Sequence, residues 1–99
     1  MLQISDAQFS SKVLKSKKLV LVMFSAPWCS VCKPVTKMLE SLETDASICK
    51  IDIESDPLMA QEYEIKSLPT IVLFKGGEAI DQVSGNVSSD KLLKIINDA

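Results

Sequence analysis

The stretch that decides the fold reads Leu19-Val20-Leu21-Val22-Met23-Phe24, then Ser25-Ala26-Pro27, then Trp28-Cys29-Ser30-Val31-Cys32-Lys33. An unbroken apolar run of this length suits a strand covered on both faces. It is far too short to span a bilayer. Pro27 ends it. From about Cys29 to Glu43 the apolar residues are Val31, Val35, Met38, Leu39 and Leu42, whose spacing traces one stripe of a helix. Pro34 falls inside the first turns, where it is expected to cost one backbone hydrogen bond and bend the helix. A buried strand thus feeds an amphipathic helix, with two cysteines at the junction.

Outward from this unit, helix and strand signals alternate to both ends, the pattern of an α/β domain. Ser5 with Gln8 forms a capping-box pattern that opens a helix through about Lys17, with Phe9, Val13 and Leu14 on its buried side. Ile48–Ile53 reads as a second buried strand. Asp56 and Pro57 suit the N-cap and first position of a short helix through about Glu64. Ile71–Phe74 is a third strand, and Gly76-Gly77 turns it into a fourth, Ala79–Val83. Gly85 breaks that strand. Val87, Ser88 and Leu92 form a hydrophobic staple around an N-cap, and Leu92, Leu93, Ile95 and Ile96 mark the last helix. A short strand at Leu2–Ile4 also fits. The expectation is a single domain over residues 1–99: a central mixed sheet of four or five strands with helices on both faces. The early connections suit parallel crossovers, and the last two strands an antiparallel hairpin.

Composition removes several function classes. The 99 residues include 11 Lys, no Arg, 13 Asp plus Glu, no His and three Cys, for a net charge of −2. Without His there is no Ser-His or Cys-His pair and no histidine metal ligand. Three cysteines cannot close a four-cysteine zinc site in one chain. Without Arg, and with a slight negative charge, a nucleic-acid surface is not expected. Neither a basic leader nor an apolar signal core is present at the start. An odd, low cysteine count does not suit a disulfide-stapled secreted domain. The expected compartment is the reducing cytosol, with no membrane association.

The chemistry concentrates in Trp28-Cys29-Ser30-Val31-Cys32-Lys33. Two cysteines three apart at a helix start can close a small disulfide ring. Cys29 would sit where the helix dipole and free N–H groups favour a thiolate, the form that attacks disulfides. Cys32, one turn on, would be more buried and placed to resolve. A core role for both sulfurs, or half of a metal site shared with a second chain, is the plainer reading of the pair. Ser67-Leu68-Pro69-Thr70, just before the third strand, is either a loop terminator or the site of a cis bond. Cys49 lies in an apolar strand and is read as core filling.

Taken together, these segments resemble the thioredoxin family over nearly the whole chain. The matching stretches are Trp28-Cys29-x-x-Cys32-Lys33, Leu68-Pro69-Thr70, Phe74-Lys75-x-Gly77-Glu78, Gly85, and the strand end from Lys50 to Glu54. The resemblance implies a thioredoxin fold, a cis bond before Pro69, and Pro69 lying against the cysteines and keeping metal out. It implies a docking surface of Trp28, Ile53, Ser67, Leu68, Pro69 and Gly85, with the Leu68 backbone pairing to an extended client segment. Lys33 and Lys50 would support the cysteine chemistry. The implied activity is that of a monomeric protein-disulfide reductase with no bound cofactor. Cys29 attacks client disulfides, Cys32 resolves them, and a thioredoxin-reductase-type flavoenzyme supplies electrons. Glutaredoxin-like exchange, an oxidising or isomerising role, and a binding module with incidental redox activity are the alternatives.

Three departures stand out. Ser30-Val31 replaces the usual Gly-Pro between the cysteines. Lys37 stands where a helix proline is common, so the expected kink moves towards Pro34. Met23 stands where the family usually has a buried acid that assists proton transfer at the second cysteine. Lys50, the usual neighbour of that acid, is expected to snorkel outward, to pair with another carboxylate such as Glu54, or to be partly neutral. Proton removal from Cys32 would then rely on Lys50 or water.

Overall fold

The computed structural model describes residues 1–99. Its strands are β1 (Leu2–Ile4), β2 (Val20–Ser25), β3 (Ser47–Asp52), β4 (Thr70–Lys75) and β5 (Glu78–Ser84). Its helices are α1 (Asp6–Phe9), α2 (Cys32–Glu40), α3 (Leu58–Glu62) and α4 (Ser89–Asp98). The sheet order is β1-β3-β2-β4-β5. β1 and β2 run parallel to β3, with Leu2 opposite Cys49 and Val22 opposite Cys49 on its two sides. β4 is antiparallel to both β2 and β5. The sheet is therefore mixed and five-stranded, the thioredoxin fold.

The apolar run Leu19–Phe24 supplies the middle strand of this sheet, and all of β2 is buried. Side chains alternate across a strand. Val20, Val22 and Phe24 enter one core with Phe9, Val13, Ile51, Val72 and Phe74. Leu21 and Met23 enter the other with Val35, Leu39, Ile71, Leu73 and Leu92. The first core lies under α1 and α3, the second under α2 and α4. Phe9, Tyr63 and Phe74 make an aromatic trio with centroids 5.1–5.7 Å apart.

Several boundaries differ from the expectations. The first helix ends at Leu14, not Lys17, because after Phe9 it widens into a π-helical turn over Ser10–Leu14. α2 starts at Cys32 and ends at Glu40. Pro34 is thus its third residue, where the missing N–H has no carbonyl to serve, and it removes no intrahelical bond. β3 is buried only on one face, at Cys49 and Ile51. Asp56 is not the cap of α3: Pro57 holds the N-cap position. Asp6 supplies the acceptors instead, taking the Leu58 and Met59 N–H groups, while Asp56 accepts from the Asp6 N–H. Gly76 and Gly77, at φ 59° and 85°, make the β4–β5 turn. A side chain at Gly77 would also stand 3.0 Å from the Leu14 carbonyl oxygen.

Candidate active site

The parallel strands β2 and β3 end on the same side of the sheet, and the loop from β2 into α2 carries the cysteines there. Cys29 and Cys32 are joined by a disulfide with Cα atoms 5.4 Å apart. Cys29 lies three residues ahead of the helix, its N–H donating to the Ala26 carbonyl at 3.1 Å. The helix begins at the second cysteine rather than the first. The sulfur-bearing residues are both buried, Cys29 at 7% exposure and Cys32 at 3%.

A cleft of about 220 Å³ beside the disulfide is lined by Ala26, Pro27, Cys29, Cys32, Lys33, Thr36 and Lys50. The structure thus gathers the cysteine pair and the two sequence-predicted lysines. Lys50 is half-buried and Lys33 exposed. Glu54 is not a partner reserved for Lys50: its Oε1 accepts the Trp28 indole N–H. That bond ties the cysteine loop to the end of β3, as does the Ile53 N–H to the Ser25 carbonyl at 2.9 Å. Ser25 Oγ is buried without a hydrogen-bond partner. It lines an adjoining hollow with Gln3, Lys50 and Asp52, and Lys50 belongs to both cavities.

The second predicted group forms its own connected unit. The Leu68–Pro69 peptide bond is cis. Pro69 is buried, and its carbonyl accepts the Gly85 N–H at 2.8 Å. Gly85 sits at φ 79°, a conformation that favours glycine. Thr70 Oγ1 donates to the Ser67 carbonyl at 2.6 Å and lies 3.1 Å from Ser84 Oγ. Leu68 is half-buried and packs against both cores, the one containing the cysteines included. β4 begins at Thr70, so the Leu68 peptide groups precede the ladder. Trp28 is 65% exposed and Val31 45%, an apolar surface around the sulfurs.

One residue of the cleft was not singled out from sequence. Thr36 Oγ1 donates to Met23 Sδ at 3.5 Å, behind the cysteine pair. Its spacing of four from Cys32 on an α-helix was the signal that would have found it. Cys49 is remote from the disulfide and buried, and burial pushes its thiol upward against the lowering effect of Lys12 and the N-terminus. No group of three or more Cys, Asp or Glu side chains is placed to hold a metal ion. No helix is long and apolar enough to cross a membrane.

The thioredoxin family model matches residues 1–98. The chain is 36% identical to a thioredoxin of Mycobacterium bovis, covering 98% of this chain and 87% of that protein. It is 44% identical to a thioredoxin of Chlamydia caviae, covering 80% of each. It also matches a bifunctional thioredoxin reductase/thioredoxin of Mycobacterium leprae at 36% identity, spanning 98% of this chain and 22% of that longer protein. Agreement over this extent shows that the chain belongs to the thioredoxin family, a thiol–disulfide oxidoreductase acting on protein disulfides through its CxxC pair.

Proposed function

We propose that this protein is a cytosolic dithiol reductant of protein disulfides, working as a single domain. Cys29 as thiolate attacks one sulfur of a client disulfide, and the other client sulfur leaves with the bonding electron pair. The resulting Cys29–client disulfide is then attacked by Cys32. That step breaks the mixed disulfide, forms the Cys29–Cys32 bond and frees the second client thiol. Two electrons pass from the dithiol to the client.

The observation that carries this reading is the Cys29–Cys32 disulfide set in an exposed apolar surface formed by Trp28 and Val31. An extended client segment would lie across Trp28, Ile53, Ser67, Leu68, Pro69 and Gly85, pairing with the free peptide groups of Leu68. Lys33 and Lys50 place positive charge beside the sulfurs and favour thiolate over thiol. Regeneration falls to a thioredoxin-reductase-type flavoenzyme, in keeping with the name of the fused mycobacterial relative.

A Cys32→Ser variant incubated with a disulfide-bonded protein should accumulate a Cys29-linked mixed disulfide, seen by mass spectrometry and released by dithiothreitol. A Cys29→Ser variant should form none. Trapping through Cys32, or through neither, would sink the assignment of roles.

A further inference from the structure

Cys32 must lose its S–H proton before it attacks, because the thiolate is the nucleophile. The chain has no His. The cleft beside Cys32 presents no carboxylate either, its lining being Ala26, Pro27, Cys29, Lys33, Thr36 and Lys50. Thr36 is the one hydroxyl among these residues. It stands four residues after Cys32 on α2, so both lie on the same helix face one turn apart. Its Oγ1 donates to Met23 Sδ at 3.5 Å, and Met23 is fully buried.

A thioether is a weak acceptor, so this bond holds the hydroxyl in place at low energy. A thiolate is a charged acceptor and draws the same donor far more strongly. We propose that the Thr36 hydroxyl, parked on the Met23 sulfur, turns to the Cys32 thiolate as it forms and stabilises it. This rests on the reading of Cys32 as the resolving thiol. The Cys32 proton passes to water in the cleft. The thiolate attacks the Cys29 sulfur of the mixed disulfide, and the Cys29–client bond breaks as the Cys29–Cys32 bond forms. The client sulfur leaves with the electron pair and takes a proton from solvent. Lys33 from α2 and Lys50 from β3 are the charged groups that line the same cleft. They supply undirected positive potential, whereas Thr36 supplies a directed donor.

The test is the titration of Cys32 in a Cys29→Ser background, followed by the NMR shift of its β-carbon so that Cys49 does not interfere. Thr36→Val has nearly the same shape without the hydroxyl. It should raise the Cys32 midpoint by about one pH unit, or roughly tenfold less thiolate at neutral pH. Thr36→Ser should return the midpoint to within about 0.3 unit of wild type. Equal midpoints for wild type and Thr36→Val, or a Thr36→Ser value that stays with Thr36→Val, would overturn the proposal. Should Thr36→Val not fold, Thr36→Ala read against Thr36→Ser gives the same comparison. The mixed-disulfide trap with Cys32→Ser tests the resolving role separately, so failure of one reading is distinguishable from failure of the other.

Discussion

Replacing Asp6 by Ala removes both acceptors used by the first turn of α3. In the intact protein its Oδ2 accepts the Leu58 N–H and its Oδ1 the Met59 N–H, each at 3.0 Å. The Leu58 bond is exposed, so water replaces much of it once the carboxylate is gone. The Met59 bond is part-buried, and that N–H is left short of a partner. Losing an N-cap acceptor costs about 0.5–2 kcal/mol, and the second donor and the acceptor's charge place this case in the upper half, near 1.5 kcal/mol. For a domain of roughly 100 residues that lowers Tm by about 6–12 °C. Asp6→Asn keeps one carbonyl oxygen but sets an NH2 group against the other donor, so it should fall between wild type and Asp6→Ala. Asp56 accepts the Asp6 N–H at 2.9 Å. Because that donor is the backbone N–H, which Asp6→Ala retains, Asp56→Ala should cost about the same in both backgrounds, to within about 0.5 kcal/mol in a double-mutant cycle. Urea denaturation followed by far-ultraviolet circular dichroism measures all of these, with the m-value unchanged. An Asp6→Ala loss within about 0.3 kcal/mol of zero would refute the claim that the first helix caps the third.

Glu64 sits at φ 53° with an exposed side chain. Relief of about 1–2 kcal/mol of left-handed strain outweighs the added freedom of the unfolded chain, so Glu64→Gly should stabilise by about 0.5–1 kcal/mol in the same urea assay, and a destabilised variant would contradict this. Cys49, buried and with its thiol pushed upward by burial, should resist iodoacetamide at neutral pH in the oxidised protein, and labelling as fast as that of a free thiol would disprove its burial. A group whose folded value is raised contributes stability that is complete below its unfolded value, near ~8.5 for a thiol, and is lost as pH rises beyond it. Tyr63 acts in the same direction at higher pH, raised first by burial and then by the charge of Glu62. Stability should accordingly decline on the alkaline side, and Cys49→Ala should flatten the first part of that decline.

What could be read in the sequence was whatever is written locally. The run Val20–Phe24 could be assigned as a strand buried on both faces because both faces demand apolar side chains, and alternate residues do enter the two cores. The glycine pair at 76–77 named its own turn. The stretch Ile48–Ile53 also reads as a buried strand, yet Ile48 and Lys50 stay half-buried because only the Cys49 face of β3 is fully covered. The start of α2 was placed three residues early, since no Ser, Thr, Asp or Asn marks it and Val31 holds the N-cap without a side-chain bond. The cap of α3 was misassigned for the opposite reason. Asp56 is a good local candidate, but the acceptor that reaches the helix comes from Asp6, 52 residues away from Leu58. In the site, the cysteine pair is written as a motif and Lys50 comes from the family resemblance; the fold brings both cysteines, Lys33 and Lys50 to one cleft. Glu54, offered to Lys50 as one of three alternatives, accepts instead from Trp28, a choice made by the packing of two loops.

The absence of His and of an acid at position 23 has a consequence for the direction of electron flow. Near the sulfurs, the cleft holds two ammonium groups, a hydroxyl and no carboxylate. Positive charge beside a thiol favours the thiolate, and whatever stabilises the thiolate favours the dithiol form over the disulfide. Lys33 is exposed and its charge is screened by salt, whereas Lys50 is half-buried and less so. For this two-electron couple about 1.4 kcal/mol of such preference is worth ~30 mV towards a more oxidising potential. Electrostatics thus works against a strongly reducing pair, and nothing in the neutral Ser30-Val31 pair opposes it with charge. Under the proposed reductant role, the pair would depend on a donor that keeps it reduced and on a docking surface that selects its clients. In the proposed role, the exposed Trp28 and Val31 and the backbone at Leu68 would supply that surface. On the proposed role, clients would be distinguished by fit to this face, and the potential would decide only which of the fitted disulfides can be opened.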